Sequence, residues 1–271
     1  MHRVLTDVFT GDSHTGLPEA NEKEPMVSND FLARVIAAAR AATAAALIAT
    51  GVAGGAAGTA VALAVPAVAS PAAQTEATAT VFGQPDLAAH YWQMQHLADN
   101  CVLMSVADVV GQVTGNLPSE EEIVTLAENT PSAMHPGSIY IRPKANQTWG
   151  TDPSDVVVLL AHYGIRGAVT NAATEDQTGV PTGLLAIERY LGDGHKVIAT
   201  VNVETIWDSP EGDRTAPDHS LVVTGVDTRN ATVHLNDPAY PSGANKQVSI
   251  ATFMQAWRAS DCEMVVTVND N

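Results

Sequence analysis

Three side chains that could carry out covalent chemistry stand at the ends of predicted elements: Cys101, His219 and Asp237. Cys101 opens the segment CVLMSVADVVGQ, in which apolar residues recur at the spacing of one helical face. At about 100° per residue, the cysteine points away from that face. The first turn of a helix has unpaired backbone N–H groups and a positive dipole, and both favour thiolate over thiol. Taken alone, a cysteine at a helix start is structural more often than catalytic, so the case for a nucleophile depends on the residues that accompany it.

The histidine and the aspartate lie at one end of a predicted β-hairpin, HSLVVTGVDTRNATVHLNDP (219–238), with its turn at 228–230. A three-residue turn places Asp237 diagonal to His219 on the same face of the sheet. A turn one residue shorter or longer would place Asn236 there instead. Either side chain could orient an imidazole, and a nucleophile, a base and an orienting group together form one functional set.

The remaining patterns indicate helices first and strands later. Ser119-x-x-Glu122 is a capping box that opens a helix. Further helices are predicted after Asp152 and over 181–192, and a strand over 196–206. After the hairpin, VSIATFMQAW predicts a short helix and CEMVVTVN a final strand. Helices followed by antiparallel strands are typical of an α+β domain.

The order of these residues resembles a known family. A glutamine precedes the cysteine, the cysteine opens a helix, the histidine opens a strand, and the aspartate lies in the motif NDPAYPSG. In this the chain is similar to the papain-like cysteine peptidases, and within them to the bacteriocin-processing (double-glycine) peptidase-like family. The resemblance runs from residue 88 to residue 271. It implies a papain-like α+β fold, with N-terminal helices packed on a C-terminal antiparallel sheet.

The resemblance also implies a role for each residue. Cys101 is the nucleophile, His219 forms an ion pair with its thiolate and later protonates the leaving group, and Asp237 orients His219. Gln95 joins the backbone N–H of Cys101 in holding the oxyanion of the tetrahedral intermediate, with Gln93 as the alternative. The implied activity is cysteine-type hydrolysis of a peptide or protein substrate without a cofactor.

One departure from the family pattern concerns the residues after the cysteine. The family usually has glycine there, followed by a small residue or proline, whereas this chain has Val102-Leu103-Met104. This bulk favours a second hypothesis, a catalytically inactive peptide-binding module on the same fold. A third hypothesis is a cell-wall peptide hydrolase of the NlpC type, although that group usually carries Asp-Cys-Ser-Gly at the nucleophile. A zinc site built from the cysteine, histidine and aspartate would lack the close-spaced ligand pair that zinc sites usually have.

Composition limits the partners of the protein. The chain has 13 basic and 30 acidic residues, a net charge of −17. Such a surface repels phosphate backbones, so nucleic acid is not an expected partner. The loop WDSPEGDRTAPD before the histidine is acidic and would favour basic substrates. Its acids are Asp208, Glu211, Asp213 and Asp218. The two cysteines, Cys101 and Cys262, could form a disulfide; alternatively Cys262 is a small buried hydrophobe at a strand start.

The first third of the chain differs in composition from the rest. Residues 1–30 are polar. Residues 31–69 contain two arginines and then a long uncharged run rich in Ala, Val and Gly, which predicts a signal peptide cleaved near Ala69 or a membrane anchor. Residues 70–85 are expected to be a linker and 86–271 the peptidase domain. The expected location is therefore secreted or cell envelope, with the apolar segment as a means of envelope association.

Overall fold

The computed structural model describes residues 81–144 and 150–268, and every structural statement refers to these ranges. The segments predicted at 1–30 and 31–69 lie outside them. The α-helices are α1 (Pro85–Ala88), α2 (Cys101–Thr114), α3 (Glu120–Asn129), α4 (Val156–His162), α5 (Glu175–Thr178), α6 (Leu184–Gly192), α7 (Val203–Trp207) and α8 (Ile250–Arg258). The strands are β1 (Val81–Gly83), β2 (Arg166–Thr170), β3 (Val197–Val201), β4 (His219–Asp227), β5 (Thr232–Asn236), β6 (Lys246–Ser249) and β7 (Met264–Val268).

All of these strands join one antiparallel sheet in the order β2-β7-β3-β4-β5-β6. Strand β1 lies off this path and pairs with the last three residues of β4, Gly225 to Asp227. Helices α2, α3 and α4 pack on one face of the sheet. Helices α6, α7 and α8 cover the other face. Because both faces are covered, the central strands β3 and β4 are buried along their whole length. Their residues therefore do not alternate between core and solvent, in contrast to a strand with one exposed face.

Helix α2 is the central helix of the first layer and begins at Cys101 as predicted. The prediction of a single buried face is too narrow, because every residue from Val102 to Gly111 is buried. The helix lies against β4 on one side and against α3 and α4 on others, so no side of it faces solvent between Val102 and Gly111. It ends at Gly115, whose φ of 77° gives the left-handed conformation that terminates many helices.

The hairpin β4–β5 differs from the prediction in two ways that cancel. Its turn is one residue longer than predicted, so Asp227 pairs with Thr232. A β-bulge at Thr224 then adds one residue to β4, and beyond it Val222 pairs with Asn236. The second change restores the predicted parity at the far end of the hairpin. As a result Asp237, and not Asn236, faces His219, as a three-residue turn predicts.

Three other predictions require correction. The strand predicted over 196–206 ends at Val201, because Asn202 caps helix α7 by accepting a hydrogen bond from the Thr205 N–H at 3.0 Å. Strands β1, β2 and β6 were not predicted. Strand β1 and the start of α1 fall within 70–85, the range expected to be a linker, so these residues belong to the folded domain.

The capping box at α3 is confirmed. Among the described residues, no helix has the length and apolar character needed to cross a membrane.

Candidate active site

The cysteine, histidine and aspartate come from separate elements and meet at one end of the sheet. Cys101 is the first residue of α2, His219 is the first residue of β4, and Asp237 directly follows β5. Cys101, His219 and Gln95 line an open cleft of about 970 Å³. Asp237 is 0 % exposed and lies behind the histidine, away from the cleft. The three residues therefore form a line from the cleft into the protein interior.

The imidazole of His219 is fixed by the carboxylate. Its Nε2 lies 2.8 Å from Oδ1 of Asp237, so Nδ1 is the ring nitrogen left to face the thiol. The carboxylate also accepts a hydrogen bond from the indole N–H of Trp207 at 2.7 Å and one from the backbone N–H of Ala239 at 2.9 Å. Burial alone would raise the pKa of Asp237, but the charge of His219 and these hydrogen bonds lower it, so the group stays ionised.

The thiol of Cys101 is hydrogen-bonded to His219. Burial alone would raise the pKa of the thiol. The charge of His219 and the hydrogen bonds from His219 and from the backbones of Ser220 and Val102 lower it below its ordinary value. Burial would likewise lower the pKa of His219, but the negative charges and hydrogen bonds of Cys101 and Asp237 raise it to about 10. The electrostatics of the site therefore favour a thiolate–imidazolium pair at neutral pH.

Of the two candidate glutamines, only Gln95 lines the cleft. Its side-chain N–H₂ donates to the carbonyl of Leu97 at 2.9 Å, which uses one of its two hydrogens, and its backbone N–H donates to the carbonyl of Pro238 at 2.8 Å. Gln93 instead donates to the carbonyl of Pro118 at 2.7 Å, away from the cleft. The position of Gln95 is thus compatible with a donor to the cleft, whereas that of Gln93 is not.

The bulky residues after the cysteine lie mainly in the core. Leu103 and Met104 are 0 % and 2 % exposed and do not line the cleft. Only Val102 contributes to the cleft wall. Of the three bulky residues, therefore, only Val102 lies at the cleft.

The acidic loop contributes less to the cleft than its sequence indicates. Of its four acids, only Asp218 lines the cleft. Two acidic residues that sequence reasoning did not single out, Asp99 and Glu263, line it as well. The lining described here includes no lysine or arginine. Burial and the neighbouring carboxyl of Glu204 raise the pKa of Asp218. The hydrogen bond from the Val203 N–H lowers it, but by less. The cleft wall is therefore negative.

Cys101 and Cys262 are both free, so they are not linked in a disulfide. Cys262 lies just before β7, half-buried, with a left-handed φ of 58°. Burial raises the pKa of its thiol. Within 81–144 and 150–268, no group of three His, Cys, Asp or Glu side chains is arranged to hold a metal ion.

A sequence profile described as the Peptidase_C39-like family matches residues 71–265. The chain belongs to this family. Its papain-like α+β fold and a peptidase-like function follow from that membership. Family relatives include the uncharacterised proteins Rv1268c of Mycobacterium tuberculosis (strain H37Rv) and Mb1299c of Mycobacterium bovis. Each is 47 % identical over 209 residues, which cover 74 % of this chain and 89 % of the relative.

Two solved structures are also similar to this C39-like chain. One is described as a C39-like peptidase from Bacillus anthracis, with 14 % identity, a TM-score of 0.49, and coverage of 68 % of this chain and 96 % of that one. The other is the peptidase domain of Streptococcus ComA, a bifunctional ABC transporter. It has 18 % identity, a TM-score of 0.40, and coverage of 67 % of this chain and 100 % of that domain.

Proposed function

We propose that the protein is an exported cysteine peptidase that hydrolyses peptide bonds through Cys101, His219 and Asp237. One observation carries the proposal: a single imidazole contacts a thiol at the cleft and, through Nε2, a buried carboxylate at 2.8 Å. A cysteine that only packed in the core would not need either partner. The membership of the chain in a peptidase-like family supports the same conclusion.

The reaction follows the order that this geometry allows. The thiolate of Cys101 attacks the carbonyl carbon of the substrate, and the π electrons of that carbonyl move to its oxygen. The backbone N–H of Cys101, which has no intrahelical acceptor, and the second N–H of the Gln95 amide stabilise this oxyanion. The protonated His219 gives its Nδ1 proton to the leaving amine as the C–N bond breaks. Water, deprotonated by the same nitrogen, then hydrolyses the thioester and releases the thiolate.

The charge of the cleft indicates the substrate class. Asp218 and Glu263 line the cleft, its described lining has no lysine or arginine, and the positive charge of His219 is paired with the Cys101 thiolate and with Asp237. A peptide with lysine or arginine beside the scissile bond should therefore be cleaved faster than the same peptide with glutamate at that position. The ratio is measured on paired synthetic peptides, and it should fall towards unity in the double variant Asp218→Asn/Glu263→Gln. A preference for glutamate in the wild-type protein would contradict this part of the proposal.

Export is supported by the sequence alone, through the positive flank and the apolar run that ends near residue 69. We propose that the peptidase domain acts outside the cytoplasm, either secreted or attached to the cell envelope. Fractionation of a host that expresses the full chain, with detection by an antibody to the folded domain, tests this. Recovery of the domain only in the cytoplasm would contradict it.

The proposed mechanism is tested by the reactivity of Cys101. Near neutral pH, iodoacetamide should alkylate Cys101 at least about tenfold faster than it alkylates Cys262, whose thiol has a raised pKa in the same protein. Mass spectrometry of the two peptides measures both rates in one sample. Cys101→Ala and His219→Ala should each abolish peptide cleavage without unfolding the domain. Equal rates at the two cysteines would refute the proposal.

Val102 gives a second candidate function, because it lines the cleft beside Cys101 at a position where the family usually has glycine. A peptide-binding module without activity would bind peptides equally well in the wild-type protein and in the Cys101→Ser variant, with no product from either. Release of soluble fragments from purified peptidoglycan would instead indicate a cell-wall peptide hydrolase.

A further inference from the structure

The loop 95–100, which leads from the cleft glutamine to the nucleophile, is wrapped around one carboxylate. Oε1 of Glu120 accepts hydrogen bonds from the backbone N–H of His96 at 2.6 Å and from that of Leu97 at 3.3 Å. The same oxygen accepts a hydrogen bond from the side-chain amide of Asn100 at 2.8 Å. Oε2 lies 2.7 Å from Nδ1 of His96. Four contacts from three residues therefore converge on a single side chain of a neighbouring helix.

Glu120 belongs to the run Glu120–Glu122 in the first turn of α3, and the three carboxylates have separate partners. Glu122 completes the capping box with Ser119. Glu121 pairs with Arg142 at 2.7 Å on the surface. Only Glu120 reaches the loop, and its side chain is 20 % exposed, compared with 71 % for Glu121. Helix capping and surface pairing thus account for two of the three carboxylates but not for Glu120.

Asn100 shows what this contact does to the start of α2. It occupies the N-cap position, where an asparagine normally accepts a hydrogen bond from an N–H of the first turn, yet it makes no such bond. Its amide nitrogen is bound to Glu120, and its Oδ1 is buried without a partner. As a result, the Asn100 side chain does not cap the first-turn N–H groups of α2.

The other end of the loop is fixed on the opposite side. The backbone N–H of Gln95 donates to the carbonyl of Pro238 at 2.8 Å, directly after the proposed orienting aspartate. The loop is thus held between α3 and the segment that follows β5. We propose that Glu120 is a positioning residue, which holds Gln95 and the start of α2 in the geometry of the oxyanion site. This inference rests on the proposed function.

The experiment compares two thiol reagents that differ in their need for an oxyanion site. Iodoacetamide reacts with the thiolate by displacing iodide from a methylene carbon, and no oxyanion forms. The peptide aldehyde acetyl-Leu-Leu-argininal is attacked by the sulfur at its carbonyl carbon, and the negative charge develops on the carbonyl oxygen. Glu120→Ala should weaken aldehyde binding by about tenfold or more and change the alkylation rate of Cys101 by less than about threefold.

Two variants serve as controls. Glu121→Ala removes a carboxylate from the same helical turn and should match the wild-type protein with both reagents. Glu120→Gln retains the oxygen that accepts three of the four contacts and should restore most of the aldehyde affinity.

Unchanged aldehyde affinity in Glu120→Ala would overturn the inference. A parallel loss with both reagents would also overturn it, because the role would then be one of general stability. If the wild-type protein neither binds the aldehyde nor shows rapid alkylation of Cys101, the proposed function itself fails. A wild-type protein that passes both tests beside an unaffected Glu120→Ala refutes the role of Glu120 alone.

Discussion

Two tryptophans donate hydrogen bonds to different oxygens of the same residue, and this allows a matched pair of substitutions. The indole N–H of Trp207 donates to the carboxylate of Asp237 at 2.7 Å, and that of Trp92 donates to its backbone carbonyl at 2.6 Å. Trp207→Phe therefore removes a bond to a charged acceptor, and Trp92→Phe removes one to a neutral acceptor. The change in side-chain volume is the same in both variants.

The magnitudes follow from the type of acceptor. A hydrogen bond to a charged group contributes about 1.5–3 kcal/mol and a neutral one about 0.5–1.5 kcal/mol. For a domain of this size, each kcal/mol lowers the melting temperature by about 2–4 °C. At neutral pH, Trp207→Phe should therefore lower the melting temperature by about 3–12 °C and Trp92→Phe by about 1–6 °C.

The pH dependence separates the two variants more sharply. The folded-state pKa of Asp237 is lowered, so its ionised form stabilises the fold above its unfolded pKa, and that stabilisation is lost as the pH falls through its folded pKa. Without the indole donor the folded pKa is higher. The deficit of Trp207→Phe should thus be complete at neutral pH and shrink on acidification. The deficit of Trp92→Phe should stay constant, because a backbone carbonyl does not titrate.

Urea unfolding of both variants and the wild-type protein, followed by circular dichroism over a series of pH values, measures these deficits. If the deficits of the two variants are equal and neither varies with pH, the indole of Trp207 contributes only packing. The account of a carboxylate held ionised by its donors would then be wrong.

Three further predictions concern the same domain. His219→Ala should slow alkylation of Cys101 by at least about tenfold near neutral pH, and the difference should shrink above about pH 9, where an unassisted thiol ionises; mass spectrometry over a pH series checks this. Gly243→Ala should reduce both melting temperature and alkylation rate, because a Cβ there would clash with a backbone carbonyl of the site, whereas Gly115→Ala has open space and should leave the alkylation rate unchanged. Burial raises the pKa of Asp108 to about 7, although hydrogen bonds from its neighbours lower it. Between about pH 4 and 7 the carboxyl therefore takes up a proton on folding, and the stability of the fold falls as the pH rises through this range. Urea unfolding of the Asp108→Asn variant should show that fall reduced, by up to about 4 kcal/mol.

Local signals in the sequence predicted the parts of the fold that local chemistry determines. The capping box at Ser119, the start of α2 and the hairpin with its two chemical residues each depend on residues close together in the chain. The family resemblance then indicated which of these elements belong together. A three-residue turn predicts that Asp237, and not Asn236, faces the histidine. The structure agrees only because the longer turn and the unpredicted bulge compensate for each other.

Long-range packing determines the rest, and the sequence carries no local signal for it. Trp207 and Trp92 donate to the same aspartate, and nothing in the sequence around either tryptophan indicates this. Glu120 is one of three consecutive glutamates in the first turn of α3, and nothing in the sequence distinguishes it from Glu121. Strands β1 and β2 were missed because β1 has only three residues and because each pairs with a single neighbour at the margin of the sheet.

The central position of β4 has a consequence for when the thiol becomes reactive. The histidine at the start of β4 meets the cysteine only after β3 and β4 have paired beneath α2, and these segments are far apart along the chain. Contacts of such long sequence separation form late, once the intervening chain has closed. In a newly made or still unfolded chain, Cys101 is therefore an ordinary thiol with the reactivity of any free cysteine. Completion of folding would itself be the step that lowers the pKa of this thiol.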